Sequence, residues 1–159
     1  MNKLKTTLLF ILVINFTACK DSNDVVLTGG EIINSTWINT YDKDPSGTIV
    51  NELIFDANMT FTEKTTFYGY EVGLNLDEAS AWYERKGIYT LDENKIFFTV
   101  NTTKSWDISS GSIQTDTQDY VLFQDCTYQV NENTLILSYI TYPADAPMTT
   151  MREYLKSDD

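Results

Sequence analysis

The sequence predicts an all-β protein, an eight-stranded antiparallel up-and-down barrel that follows a cleaved N-terminal signal peptide and a short tether. Two observations carry this expectation. After residue 30, apolar and polar residues alternate in eight short runs rich in β-branched and aromatic side chains, the period of strands with one buried face. Consecutive runs are joined by short turns of Asp, Asn and Glu, residue types that cap local backbone and, for Asp and Asn, tolerate left-handed conformations. An open sheet of eight strands leaves long edges exposed to pairing, and closure removes them. A two-sheet sandwich shares the same periodicity and is the alternative.

In chain order the expected strands are 32–41, 48–55, 59–70, 82–91, 95–102, 119–130, 134–142 and 148–155. The second and third meet at Asp56-Ala57-Asn58, the fourth and fifth at Asp92-Glu93-Asn94, and the sixth and seventh at Asn131-Glu132-Asn133. Inward faces read as Ile49, Leu53 and Phe55, then Met59, Phe61 and Phe67, then Ile96, Phe98 and Val100. Tyr89, Tyr128, Leu135 and Leu137 continue them. Two segments fall outside this pattern. Residues 71–81 read as a helical turn or two around Leu74–Trp82, and residues 103–118 as a long polar loop expected to cover a barrel mouth.

The first eighteen residues have a basic start (Lys3, Lys5), an apolar stretch from Leu8 to Ile14 that is too short to span a bilayer, and a small-residue end at Thr17-Ala18. Cys19 follows at once. Phe16-Thr17-Ala18-Cys19 resembles a bacterial lipobox, which implies that Cys19 becomes the lipidated first residue of the mature chain. The polar Lys20–Asp24 is similar to the acidic tag of some Gram-negative surface lipoproteins. The expected organisation is a signal peptide over 1–18, a lipid-anchored tether over 19–30 and a barrel domain over 31–159.

Composition narrows the chemistry. The chain has 159 residues, 11 Lys and Arg against 23 Asp and Glu, a net charge of −12 and no histidine. Removing residues 1–18, which carry two Lys and no acid, takes the charge to −14 on 141 residues. The acid excess argues against nucleic acid, whose phosphates are held by Lys and Arg. Lack of histidine excludes Ser-His-Asp triads, Cys-His dyads and imidazole zinc sites. With Cys19 lipidated, Cys126 has no intrachain disulfide partner and reads as a small buried hydrophobe rather than a nucleophile. Asp77, Glu78 and Glu84 read as a solvated face. No catalytic residue, metal or cofactor is expected.

Asn34-Ser35-Thr36-Trp37, the Leu53–Phe61 hairpin, Gly87-Ile88-Tyr89 and Leu135-Ile136-Leu137 together resemble the bacterial lipocalin-like lipoproteins, over residues 31–155. Ser35 stands where that family usually has Gly. The resemblance implies a barrel able to hold one small ligand, and an arginine, here Arg152, stacked over Trp37. Arg152-Glu153-Tyr154 is also similar to the Arg-x-Tyr pair with which fatty-acid-binding barrels hold a carboxylate. Candidate ligand contacts are therefore Trp37, Tyr89, Tyr128, Arg152 and Tyr154. The expected protein is anchored in the bacterial cell envelope, at the outer membrane and displayed at the surface, and binds a small apolar or amphipathic ligand. The alternative is an inhibitor-like or adhesin-like module with a solid barrel, whose loops bind a protein or glycan. An interior cavity of about 300 Å³ or more separates the two.

Overall fold

The computed structural model describes residues 31–43, 47–69 and 78–158. The signal peptide, the tether with Cys19, and residues 71–77 of the expected helical segment lie outside the described residues. The strands are β1 (Ser35–Lys43), β2 (Gly47–Phe55), β3 (Thr60–Tyr68), β4 (Ala79–Asp92) and β5 (Lys95–Asp107). They continue as β6 (Gln114–Asp116), β7 (Tyr120–Val121), β8 (Gln124–Asn131), β9 (Thr134–Thr141) and β10 (Met148–Lys156), with a short 3-10 turn at Pro143–Asp145 before β10.

Strands β1 to β5 form an antiparallel meander; β5 then pairs with β8, β8 with β9, β9 with β10, and β10 with β1. The path returns to its start, so β1–β5 and β8–β10 make a closed eight-stranded antiparallel barrel, and the sandwich is ruled out. The turns fall where their composition places them, but their left-handed positions are taken by Met and Glu rather than by Asp or Asn. Asp56 N donates to Thr60 O at 2.9 Å, and Met59, Glu93 and Glu132 take positive φ at 61°, 53° and 50°.

The structure corrects three sequence expectations. Residues 103–118 are not one loop: β5 runs on to Asp107, turns back, and pairs with β6 through Thr103/Asp116, Lys104/Thr115 and Ser105/Gln114. The expected sixth strand is split, because β7 pairs at Val100/Tyr120 and β8 at Lys95/Thr127, with Asp125 at φ 49° where the register against β9 shifts. Residues 114–131 are thus one interrupted partner of β5. Finally, Ala79–Ala81 belong to β4 rather than to a helical turn.

The two ends of the barrel differ. At the end holding the start of β1 and the end of β10, Trp37, Leu53, Phe55, Phe61, Tyr89, Phe98, Leu135, Leu137 and Tyr154 are all at most 1% exposed. Phe55 meets Tyr89 edge-on at 4.9 Å and Phe61 meets Phe98 at 4.9 Å, the offset geometry that ring quadrupoles favour. Burying each such side chain contributes about 1.5–3 kcal/mol. Trp37 Nε1 donates to Ser35 Oγ at 2.6 Å, so the serine two residues before it satisfies the indole. The cation over the Trp37 ring is Lys156, at 5.8 Å, rather than Arg152. Register decides this: Lys156 pairs with Trp37 across β10 and β1, whereas Arg152 lies further along β10, opposite Leu137 of β9.

Candidate functional site

The other end of the barrel is an open cup of about 760 Å³, within the size range of small-molecule sites. Its walls include Ile49, Phe67, Tyr83 and Leu122. Phe123 lines the cavity and packs on Tyr139 at 4.4 Å and Phe98 at 5.4 Å, which makes it the floor between cup and plug. Tyr41, Tyr83 and Met151 line the mouth and are 58%, 43% and 69% exposed, so the cavity is open to solvent there.

The centre of the cup is polar because polar residues hold inward positions in otherwise apolar strands. Asn51 falls between Ile49 and Leu53, and Glu63 and Thr65 between Phe61 and Phe67; Arg85 is opposite Glu63 across β3 and β4. Alternation turns all of them into the barrel. Glu63 is 2% exposed, and its Oε2 accepts from Arg85 Nη1 at 2.7 Å. Thr65 Oγ1 is 2.9 Å from Asn51 Oδ1, and Asn51 Nδ2 donates to Asn39 Oδ1 at 3.0 Å.

Arg152 enters the same network with no carboxylate of its own. Its Nη1 lies 3.5 Å from Asn51 Oδ1 and 3.4 Å from Tyr154 Oη, both long contacts, and no acidic oxygen among the described residues is within 4.0 Å of its guanidinium. Burial opposes the charge of Arg152, but Tyr154, Tyr139 and Glu63 outweigh it and raise its pKa, so it stays cationic. Arg85 behaves alike: desolvation is overcome chiefly by Glu63, with Tyr120 adding to it. Glu63, Arg85 and Arg152 together leave one positive charge inside a strongly acidic protein. A guanidinium carries five N–H donors, and among the described residues only Nη1 of Arg152 meets an acceptor.

The five candidate ligand residues divide. Arg152 lines the cup, and Tyr154, fully buried beside it, holds its hydroxyl pKa up at about 12, mainly through desolvation. Trp37, Tyr89 and Tyr128 belong to the plug; Tyr128 Oη donates to Glu93 O at 3.2 Å, and Tyr89 Oη has no partner among the described residues. Asn39, Asn51, Glu63, Thr65 and Arg85 were not expected from the sequence. Their signal was present as polar residues breaking the inward apolar faces of β1 to β4. Cys126 is buried and free, and desolvation pushes its thiol to about 12, so it is protonated at neutral pH.

No cluster of His, Cys, Asp and Glu suited to a metal occurs among the described residues, nor any helix long and apolar enough to cross a membrane. Fold and site together define a half-filled antiparallel barrel with a cationic polar centre beneath an open mouth. No protein-family model, curated protein or solved structure matches the chain significantly.

Proposed function

We propose that this is a lipid-anchored bacterial cell-envelope protein whose lipocalin-like barrel binds a small amphipathic molecule, with an anionic head on Arg152 and an apolar part against Ile49, Phe67 and Leu122. The single observation that carries the reading is Arg152, a cation without a carboxylate partner, inside a cavity of about 760 Å³. A cavity of that size favours a carrier over a solid module. The reading is of a binding protein and not an enzyme, supported by the absence of histidine and by the protonated, buried Cys126. The anchor, and with it the proposed outer-membrane location, is supported by the signal-like residues 1–18 followed by Cys19.

Native mass spectrometry of the protein extracted from its own envelope tests the carrier. A co-purifying acidic lipid supports it; a ligand-free protein that also fails to take up added dodecanoate refutes it. Incorporation of labelled palmitate tests the anchor, since Cys19→Ser should abolish it, and retained label would remove lipidation from the reading. The second reading, a surface interaction module, is favoured by one feature: Tyr41, Tyr142 and Met148 are 58%, 54% and 55% exposed on the loops and strand ends at the open end. Capture of a protein or glycan by a ligand-free barrel would bring it forward.

A further inference from the structure

The barrel is closed unevenly. Six of its eight neighbouring strand pairs are zipped along most of their length, for example β1 with β2 from Ser35/Phe55 to Lys43/Gly47, and the free edge of β5 is covered piecewise by β6, β7 and β8, with Lys95/Thr127 as the β5–β8 pair. Between β1 and β10, however, the ladder holds only Trp37/Lys156 and Ile38/Leu155, extended by Ser157 N donating to Thr36 O at 2.8 Å. Continued at the same register, Thr40 would face Glu153 and Tyr41 would face Arg152. Among the described residues neither pair forms. A single side chain crosses there instead: Asn39 Nδ2 donates to Glu153 O at 2.9 Å. The strands therefore part on the side of the barrel that holds the cup.

Both faces of this seam carry a recess. Inside, the cup is lined by Asn39 and Tyr41 from β1 and by Thr150, Met151 and Arg152 from β10. Outside, a groove of about 460 Å³ runs along Ile38, Thr40, Leu155 and Lys156, and Asn39 lines it as well. Asn39 thus belongs to both recesses, and its bond to Glu153 is the latch between them. The groove has an apolar strip, Ile38 beside Leu155, and Leu155 is 60% exposed although it sits in a regular strand. An exposed apolar strip that continues an interior cavity through an unpaired seam suits an extended hydrocarbon chain.

We infer that the β1–β10 seam is a second opening of the cup, and that the outer groove over Ile38 and Leu155 takes the distal chain of a long-chain monocarboxylate whose head is on Arg152. This rests on the carrier reading and adds to it the length class of the ligand. Release of the Asn39–Glu153 bond lets the chain pass, because no ladder hydrogen bond need break beyond Ile38. Short-chain acids would occupy the cup alone.

Displacement titrations with octanoate and octadecanoate, on the wild type and Leu155→Glu, test the groove. The variant should bind octanoate as the wild type does and octadecanoate about tenfold more weakly, the loss expected when two methylenes lose apolar contact. Equal octadecanoate affinity in both proteins, or an equal loss for both acids, would overturn the groove while leaving the carrier standing. Failure of the wild type to bind either acid would overturn both. An independent measurement avoids reliance on the variant: octadecanoate carrying a nitroxide near its methyl end should broaden the methyl resonances of Ile38 and Leu155 in the wild type. Broadening confined to the Tyr41 and Tyr83 mouth would contradict the inference.

Discussion

Glu63 and Arg85 face each other across β3 and β4 with Oε2 and Nη1 2.7 Å apart, and both turn into the barrel. The pair neutralises one of the two arginines in the cup, which leaves the charge of Arg152 available. It is also costly to disrupt, because Glu63 is 2% exposed and removing it strands a partly buried cation. Glu63→Gln should lose about 1–3 kcal/mol in urea unfolding, and adding Arg85→Met should restore part of that loss. Additive losses in the double-mutant cycle would show that the pair is not coupled.

Gly87 is needed for close approach of β5. A Cβ there would lie 1.9 Å from the carbonyl oxygen of Thr99 and 2.9 Å from the Val100 Cα, both backbone atoms that cannot swing away. The β4–β5 register shifts between Lys86 and Gly87. Gly87→Ala is expected to destabilise by about 1–3 kcal/mol or more, read as a lower urea midpoint at unchanged slope.

Tyr89 Oη is buried in the plug without a partner among the described residues, and burial raises its pKa. The hydroxyl therefore carries its desolvation cost with no compensating bond, while the ring packs edge-on against Phe55. Tyr89→Phe keeps the ring contact and should leave stability unchanged or raise it by about 1 kcal/mol. A loss of more than that would reveal a bond made by the hydroxyl.

Burial raises the pKa of Cys126 from 9.0 to about 12 and that of Tyr154 from 10.0 to about 12. In each case the folded state holds the proton more tightly than the unfolded chain. Their contribution to stability is complete below pH 9 and is lost as pH rises through 9 and 10 towards about 12. Chemical unfolding across that window should show a falling midpoint, and Cys126→Ala should flatten its lower part. A midpoint constant from pH 9 to 12 would contradict the burial of both groups.

Strands and turns were legible where one face is apolar and the other wet. Ile96, Phe98 and Val100 are each fully buried and alternate with Phe97, 46% exposed, and Thr99. The Asp92-Glu93-Asn94 turn announces itself by composition. The end of β5 was not legible, because Thr102, Thr103, Lys104 and Ser105 are polar on both faces, and the alternation that marks a strand is absent where it passes the open cup. The candidate site was half legible. Arg152 and Tyr154 share a face by their spacing, but Glu63 and Arg85 are 22 residues apart and meet only through the β3–β4 register. The same dependence on register placed Lys156, not Arg152, over Trp37.

The claim that Arg152 holds an anionic head is tested most directly by calorimetric titration of the wild type and Arg152→Gln with dodecanoate and with dodecanol. The wild type should bind dodecanoate, the variant should bind it about 10–100-fold more weakly, and dodecanol affinity should be the same in both, since the alcohol carries no charge for the guanidinium to meet. Equal dodecanoate affinity in the two proteins, or no binding by the wild type, would contradict the proposal.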